Sequence, residues 1–400
     1  MGRYDFDRVI DRRGSNSMKW DVVGDPGFIP LWVADMDFAA APPIVEALRR
    51  RVDHGVFGYT FVPDSYYQAI VDWFARRHQW HIDRRWIIYT SGVVPAVSAA
   101  IKALTMPGER VLVQTPVYNC FFSSIYNQGC QVLESPLRRT ADSYEIDFDD
   151  FERKCADDKT TVFLLCNPHN PAGRVWTADE LRRMYDVCRR HGVKVVSDEI
   201  HCEIVMPGQH FTPMAVVAGN APDVVTLNSP TKSFNIAGLQ IANIISADSE
   251  VYRRIDRAIN IFEACDVNPF GVIALQKAYN ECGDWLDELN EYIAANYEAL
   301  KSMLARQLPQ AHVLRLEGTY LAWVDIRQLG LSSDEAYNRL LKEARVMVNN
   351  GRIYGSEAGE GYIRINLACP RATLSEGVRR ICQTLSPAGP DAIRSGADRL

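Results

Sequence analysis

Lys232 is the residue of this 400-residue sequence whose position most strongly suggests covalent chemistry. It stands in the stretch SPTKSFN, residues 229–235, just after the apolar run VVTLN, residues 224–228. A lysine at such a place is either a solvated charge or an amine held at a strand end to react with a carbonyl group. The residues that follow the other apolar runs decide between these interpretations.

Glycine or aromatic residues follow two earlier apolar runs. After WIIY, residues 86–89, Ser91-Gly92 turns into a helix whose free N–H groups favour a phosphate, although most such turns bind nothing. After RVLV, residues 110–113, Tyr118 either stacks on a flat ring or packs into the core.

Polar residues follow two more apolar runs. NPHNPAG, residues 167–173, is a stiff turn in which Asn170 either offers an amide donor or is purely structural. In SDEIH, residues 197–201, Asp198 ends a buried strand, where a carboxylate is costly unless it is paired. His201 makes a metal pair with Asp198 possible, but no third ligand stands at a suitable spacing.

These residue types together match the needs of one cofactor, pyridoxal 5'-phosphate. It requires a lysine for a Schiff base and an acid that keeps the pyridine nitrogen protonated, here Lys232 and Asp198. Its ring and hydroxyl would meet Tyr118 and Asn170. The candidate phosphate cradle consists of Ser91, Gly92, Ser229 and Thr231.

An alternation of strands and helices must position these residues. The apolar runs at 86–89, 110–113, 161–166, 193–197, 224–228 and 241–246 are short and β-branched, and helical patterns separate most of them. This alternation predicts an α/β fold with a mostly parallel sheet and helices on both faces. Ligands of such sheets bind beyond the carboxyl ends of the strands.

The texture of the sequence changes after this alternating region. A helical tract at 285–306 is followed by shorter strands at 320–326 and 361–367 and a helix from about Ser375. We therefore predict an N-terminal arm at 1–45 that forms part of a small domain, a large cofactor-binding domain at 46–284 and a C-terminal small α+β domain at 285–400.

The composition excludes several classes of protein. A hydrophobic content of 47% indicates a globular chain, and a net charge of −6 argues against nucleic-acid and anionic-membrane partners. No apolar run is long enough to span a membrane, and the charged start has no signal core, so we expect a cytoplasmic protein. The ten cysteines show no metal-ligand spacing and are expected to be reduced, mostly buried thiols.

The motifs NPHNPAG, SDEIH and SPTKSFNIAGL resemble, in this order, the aspartate-aminotransferase fold type I of pyridoxal-phosphate enzymes. Within that fold, WVADMDF, HGVFGYT, SGVVPA, WTADEL and RINLACPR resemble the aminotransferase-like C–S lyases, the cystathionine β-lyase branch. The resemblance spans nearly the whole chain. It implies a carbon–sulfur lyase that cleaves cysteine S-conjugates by β-elimination, with L-cystathionine giving homocysteine, pyruvate and ammonia.

The resemblance also implies a role for each site residue. Lys232 would form the Schiff base and remove the Cα proton, Asp198 would pair with the ring nitrogen, and Asn170 would bind the ring hydroxyl. The other implied cofactor contacts are Tyr118 on the ring, His201 at the ring oxygen, and Ser91, Gly92, Val93, Ser229 and Thr231 at the phosphate. Arg364 would clamp the substrate carboxylate, with Tyr320 beside it, and no metal is implied.

One implied contact crosses between subunits. Tyr59 would reach the phosphate of a neighbouring subunit, which makes the protein a homodimer with shared active sites. Three positions depart from the aminotransferase pattern: a histidine at 201 for the usual tyrosine, Gln240 for a phosphate-binding arginine, and Asn349-Asn350-Gly351 for proline-glycine. The histidine is expected in the lyase branch, whereas Gln240 leaves phosphate binding to backbone and hydroxyl groups.

Two alternatives to a lyase remain at the level of the sequence. A class I or II aminotransferase would use the same residues as far as the carbanion, and no single residue separates the two reactions. A pyridoxal-phosphate-binding regulatory protein would require an additional DNA-binding or partner domain, for which the sequence shows no segment.

Overall fold

A computed structural model of the chain describes residues 2–262 and 266–386. Its strands are short, as the sequence predicts. They are β1 Ile29–Pro30, β2 Ile87–Thr90, β3 Arg110–Val113, β4 Gln131–Glu134, β5 Arg138–Arg139, β6 Tyr144–Glu145, β7 Thr160–Cys166, β8 Lys194–Asp198, β9 Val224–Asn228, β10 Ala242–Ser246, β11 His312–Val313, β12 Leu321–Asp325, β13 Val346–Met347, β14 Asn349–Asn350 and β15 Tyr362–Asn366.

The central sheet has seven strands in the order β2-β10-β9-β8-β7-β3-β4 within the described residues. The neighbouring pairs from β9 to β4 are parallel, whereas β10 runs antiparallel to both β9 and β2. The predicted mostly parallel sheet is confirmed, and each predicted strand of it lies within one residue of its observed bounds.

Helices cover both faces of this sheet. The α-helices of the described residues, in both parts of the fold, are α1 Met18–Asp21, α2 Pro42–Asp53, α3 Asp64–His78, α4 Val93–Leu104, α5 Cys120–Asn127, α6 Phe148–Cys155, α7 Ala178–Arg190, α8 Met214–Val217, α9 Ser249–Ile259, α10 Pro269–Glu281, α11 Gly283–Gln307, α12 Ser333–Arg339 and α13 Arg371–Leu385. In β7, Phe163 and Leu165 pack into one apolar core, while Val162 and Leu164 pack into another. Side chains alternate along a strand, so a run that is apolar throughout is buried on both faces.

A smaller antiparallel sheet follows, with the order β11-β12-β15-β14. Helices α11 and α13 pack against each other beside it. This sheet carries Arg364 and Asn366 on β15, and its strand β12 begins just after Tyr320. The predicted domain boundaries at residues 45 and 284 stay a prediction.

The N-terminal residues are held to the rest of the chain by a group of charges, of which Lys19 and Asp37 are buried and Arg12 and Asp35 are partly buried. Lys19 Nζ lies 2.8 Å from Asp37 Oδ2, and Arg12 lies 2.7 Å from Asp35 and 2.8 Å from Asp37. Trp20 also donates to Asp37, at 2.8 Å. We call Arg12, Lys19, Asp35 and Asp37 the N-terminal charge cluster; it fixes the residues that lead from β1 to α2.

No helix of the described residues is long and apolar enough to cross a membrane. Nine cysteines fall within the described residues; all are free thiols, and only Cys120 among them is partly exposed. The tenth, Cys265, lies outside those residues.

Candidate active site

A cavity of about 250 Å³ opens at the carboxyl ends of β7, β8 and β9, beside the first turn of α4. Its wall is formed by Ala34, Gly92, Val93, Val94, Pro95, Tyr118, Cys166, Asn170, Asp198, Ile200, His201, Thr231, Lys232 and Ala237. Parallel strands deliver their following residues to one edge of the sheet, so the segments that the sequence singled out meet here.

Lys232 projects into this cavity from the turn that follows β9. Its amine donates a hydrogen bond to the Ala34 carbonyl oxygen at 2.6 Å. The pKa of this amine is lowered to about 8, and burial is the largest cause; the Arg364 charge acts in the same direction, whereas Asp35 and Asp198 act in the opposite direction. A substantial fraction of Lys232 is therefore neutral near pH 8, as a base or nucleophile must be.

Asp198 lies at the end of β8 and is buried in the wall of the cavity. Its carboxylate accepts the Ile200 N–H at 3.1 Å. Burial raises the pKa of Asp198 to about 7, whereas the Ile200 hydrogen bond and the Lys232 charge lower it. A carboxyl group in this environment is stabilised as an anion when a cation comes to face it.

Glu199, the next residue, points away from the cavity. Its Oε1 accepts from Ser197 Oγ at 2.8 Å and from the Met214 N–H at 2.9 Å. Burial raises the pKa of Glu199 to about 8. Successive side chains of a strand point in opposite directions. Asp198 therefore faces the cavity, whereas Glu199 binds the start of α8.

His201 is buried in the wall, and its Nδ1 has no hydrogen-bond partner. Burial lowers its pKa to about 3, with smaller contributions from Lys232 and Arg364, so the ring is neutral. Its ring packs edge-on against Tyr320, with centroids 5.7 Å apart. In the described residues, the one cluster of possible metal ligands is instead His78, Cys202 and Glu203, which does not contain Asp198.

Arg364 extends from β15 towards Asn170. Its guanidinium donates to Asn170 Oδ1 at 3.0 Å, to the Trp32 carbonyl at 2.9 Å and to Asn349 Oδ1 at 3.1 Å. The buried Nε has no partner. Since an amide offers one oxygen and one NH₂ group, this contact leaves the Asn170 Nδ2 available as a donor.

The first turn of α4 provides the end of the cavity that suits an anion. Gly92, which precedes the helix, and Val93 line the wall, and Thr231 faces them from the turn after β9. Ser91 and Ser229 lie outside this wall. The Ser229 hydroxyl lies 2.6 Å from the Ile241 carbonyl oxygen.

The other predicted residues differ in how they relate to the cavity: some line it or lie buried beside it, and others are exposed to solvent. Tyr118 lines the cavity, and Tyr320 is buried with its hydroxyl donating to the Ala34 carbonyl at 2.9 Å. Gln240 is exposed, with a φ of 52°. Tyr59 is fully exposed on a segment without regular structure.

The residues from Trp32 to Phe38 contribute a wall that sequence reasoning did not include. Asn366 Nδ2 donates to the carbonyls of Val33 and Asp35 at 2.6 and 2.7 Å. Asn235 Nδ2 donates to the carbonyls of Met36 and Phe38. This wall segment, residues 32–38, is thereby held in place, and its Ala34 and Trp32 carbonyls accept hydrogen bonds from Lys232 and Arg364. No side-chain pattern signals such a backbone contribution.

Comparison with known proteins agrees with this geometry. The family model for aminotransferase class I and II matches residues 27–381. Cystathionine beta-lyase PatB of Bacillus subtilis is 40% identical over 95% of this chain and 100% of that protein. Protein MalY of Escherichia coli is 36% identical, over 94% of this chain and 97% of that protein.

Solved structures extend the agreement to three dimensions. Cystalysin from Treponema denticola, whose crystal structure contains a pyridoxal 5'-phosphate cofactor, superposes with a TM-score of 0.92 at 35% identity. The match covers 96% of this chain and 98% of cystalysin. The chain therefore belongs to the class I and II aminotransferase family, and within it to the pyridoxal-phosphate-dependent carbon–sulfur lyases of fold type I.

Proposed function

We propose that this protein cleaves the Cβ–S bond of cysteine S-conjugates such as L-cystathionine and cystine, using pyridoxal 5'-phosphate. The observation that carries the proposal is the cavity in which the amine of Lys232, the carboxylate of Asp198 and the first turn of α4 converge. The similarity to cystathionine beta-lyase PatB supports a lyase over an aminotransferase.

The residues of the cavity fit the cofactor. The free N–H groups at Gly92 and Val93 suit its phosphate, and the Asp198 carboxylate suits a protonated ring nitrogen. The unpaired Nδ1 of the neutral His201 and the free Asn170 Nδ2 are the groups suited to the ring hydroxyl. When bound, pyridoxal phosphate supplies an electron sink for the bonds at the substrate Cα.

The amine of Lys232 is the group that would take the Cα proton. Its pKa of about 8 leaves it partly neutral in neutral solution, and the neutral fraction rises with pH. The buried surroundings that lower this pKa also exclude bulk water from the transferred proton.

Arg364 is the group suited to the substrate carboxylate. Its unpaired, buried Nε offers a donor, and its contacts to Trp32, Asn170 and Asn349 fix the plane of the guanidinium. With the carboxylate bound there, loss of the Cα proton and cleavage of the Cβ–S bond release a thiolate. Addition of one water to the remaining three-carbon fragment gives pyruvate and ammonia.

We further propose that the protein works as a homodimer. Three aromatic side chains of residues 57–61 are exposed to solvent: Phe57 to 57%, Tyr59 to 101% and Phe61 to 80%. Such a run of exposed aromatic groups is typical of a surface that another molecule covers. A second copy would cover it and would place the Tyr59 hydroxyl at the phosphate end of a neighbouring site.

A product assay tests the proposal. Purified protein is incubated with pyridoxal phosphate and L-cystathionine, and pyruvate and thiol are measured; amino transfer to an added keto acid is measured in parallel. We expect equal amounts of pyruvate and thiol from the wild type and neither product from Lys232→Ala. Amino transfer without pyruvate would instead identify an aminotransferase.

A further inference from the structure

Tyr320 and Lys232 share one hydrogen-bond acceptor. The Tyr320 hydroxyl donates to the Ala34 carbonyl oxygen at 2.9 Å, and the Lys232 amine donates to the same oxygen at 2.6 Å. The two donors come from distant parts of the chain, since Lys232 follows β9 and Tyr320 precedes β12. A carbonyl oxygen has two lone pairs, so a hydroxyl on one directs the second donor to the other.

The carbonyl of Ala34 is held in place from both sides. Asn366 Nδ2 donates to the carbonyls of the two flanking residues, Val33 and Asp35, at 2.6 and 2.7 Å. Lys19 Nζ also donates to the Asp35 carbonyl, at 3.2 Å. The position of the Ala34 oxygen is therefore fixed by contacts that do not involve Tyr320.

We propose that Tyr320 is a positioning residue for Lys232, which acts by sharing the Ala34 carbonyl oxygen with the free amine. The hydroxyl occupies one lone pair, so the amine is confined to one direction. The same hydroxyl weakens the carbonyl as an acceptor for the charged ammonium form, which favours the neutral base. Tyr320 then contributes to proton transfer without touching the substrate.

Other groups also act on the Lys232 amine and stay in place when the Tyr320 hydroxyl is removed. Those that favour its charged form are Asp35, Asp198 and Cys120, and the one that disfavours it is Arg364. His201 is neutral and packs on the Tyr320 ring, a contact that phenylalanine preserves.

The test uses Tyr320→Phe with Tyr297→Phe as its matched control. Tyr297 is also buried, and its hydroxyl donates to a backbone carbonyl, that of Leu314, at 3.0 Å, outside the wall of the cavity. Cofactor-free protein is reductively methylated with formaldehyde and cyanoborohydride at a series of pH values. The rate at the Lys232 peptide, followed by mass spectrometry, gives the pKa of its amine.

We expect Tyr320→Phe to raise this pKa by about half a unit to one unit, because the ammonium gains an unshared acceptor. Tyr297→Phe should leave it unchanged. The pKa measurement needs neither cofactor nor turnover, so its result does not depend on the proposed function. Only the kinetic measurement, described next, rests on that function.

In the loaded enzyme, Tyr320→Phe should lower kcat about five- to tenfold with KM unchanged, and the rise of kcat with pH should move to higher pH. An unchanged Lys232 pKa would overturn the proposal. So would a raised KM at unchanged kcat, since that result would assign the hydroxyl to the substrate.

Discussion

Asp198 and Lys232 illustrate how single residues gain chemical properties from burial. Both have pKa values shifted towards neutrality, Asp198 upwards to about 7 and Lys232 downwards to about 8, and burial is the largest cause for each. Their charges stabilise each other, and a cationic ring nitrogen would stabilise the Asp198 anion further. The site therefore holds an acid and a base that respond to what binds between them.

We predict that Asp198→Asn lowers kcat by roughly 10²–10⁴-fold, equivalent to the roughly 3–5 kcal/mol that a lost buried charge partner costs. Asparagine keeps an oxygen for the Ile200 N–H, so the loop geometry is preserved. The measurement is steady-state kinetics at saturating cofactor. Asp223→Asn, which alters a carboxylate paired with Tyr185 outside the cavity wall, is the control and should retain activity. Near-normal turnover in a folded Asp198→Asn protein would remove Asp198 from the ring nitrogen.

The sequence predicted four polar side chains that line the cavity, because their types are distinctive. Lys232, Asp198, Asn170 and His201 are each polar residues that interrupt apolar runs at strand ends. Ala34 was not identified, because it acts through its carbonyl and any residue type carries one. Ser91 and Ser229 lie outside the cavity wall, and their contacts with the phosphate stay a prediction.

At the scale of elements, β8 and α8 are joined by Glu199. This side chain is not part of the cavity wall and accepts the Met214 N–H at the start of α8. Its pKa is raised to about 8, mainly by burial, so the folded protein holds a proton there that the unfolded chain releases near pH 4.5. A raised folded-state pKa stabilises the fold at low pH, and this stabilisation is lost as the pH rises to about 8.

We predict that Glu199→Gln becomes increasingly more stable than the wild type between pH 6 and pH 8, by about 1.4 kcal/mol per pH unit at most. Glutamine keeps an oxygen for Ser197 and Met214 and cannot ionise. Urea unfolding of the cofactor-free proteins at pH 6, 7, 8 and 9 measures the difference, which should level off above pH 8. Parallel stability curves across this range would show that Glu199 is already ionised in the folded protein.

Most elements were predictable from the sequence, but their arrangement was less so. Apolar runs bounded by turns locate β7, β8 and β9 within one residue. The antiparallel direction of β10 depends on the path of the chain between β9 and β10. The residues of β10 itself would suit a parallel strand equally well, so they do not predict its direction. Likewise, β1 accounts for only Ile29–Pro30, and the wall segment after it is held by Asn235 and Asn366, which are remote in sequence.

At the scale of the whole molecule, the exposed residues 57–61 bear on how sites are assembled. Tyr59 contacts nothing that would bury it in its own chain, since its side chain is fully exposed. A role at a phosphate therefore requires a second subunit.

We predict that Tyr59→Phe weakens cofactor binding by roughly 0.5–1.5 kcal/mol, or up to about 3 kcal/mol because the acceptor is charged. Subunit exchange at limiting cofactor between Tyr59→Phe and Lys232→Ala proteins should then raise activity. Each mixed dimer would hold one site with both defects and one intact site. The control mixes Lys232→Ala protein with Tyr126→Phe protein, which alters another exposed tyrosine. The activity of this mixture should not exceed the sum of the activities of its two components. If activity equals the sum of the parents despite proven exchange, Tyr59 serves its own chain or no site.

The N-terminal charge cluster has a consequence for shortened forms of the protein. The family model begins at residue 27, whereas Arg12, Lys19 and Trp20, which pair with Asp37, precede it. A protein trimmed to the family boundary would keep Asp37 buried without its cations, a defect that costs roughly 3–5 kcal/mol. Because Asp37 belongs to the wall segment that also carries Ala34, such trimming would weaken this wall of the cavity together with the fold. In this protein the matched region, residues 27–381, is therefore shorter than the length of chain that holds this wall in place.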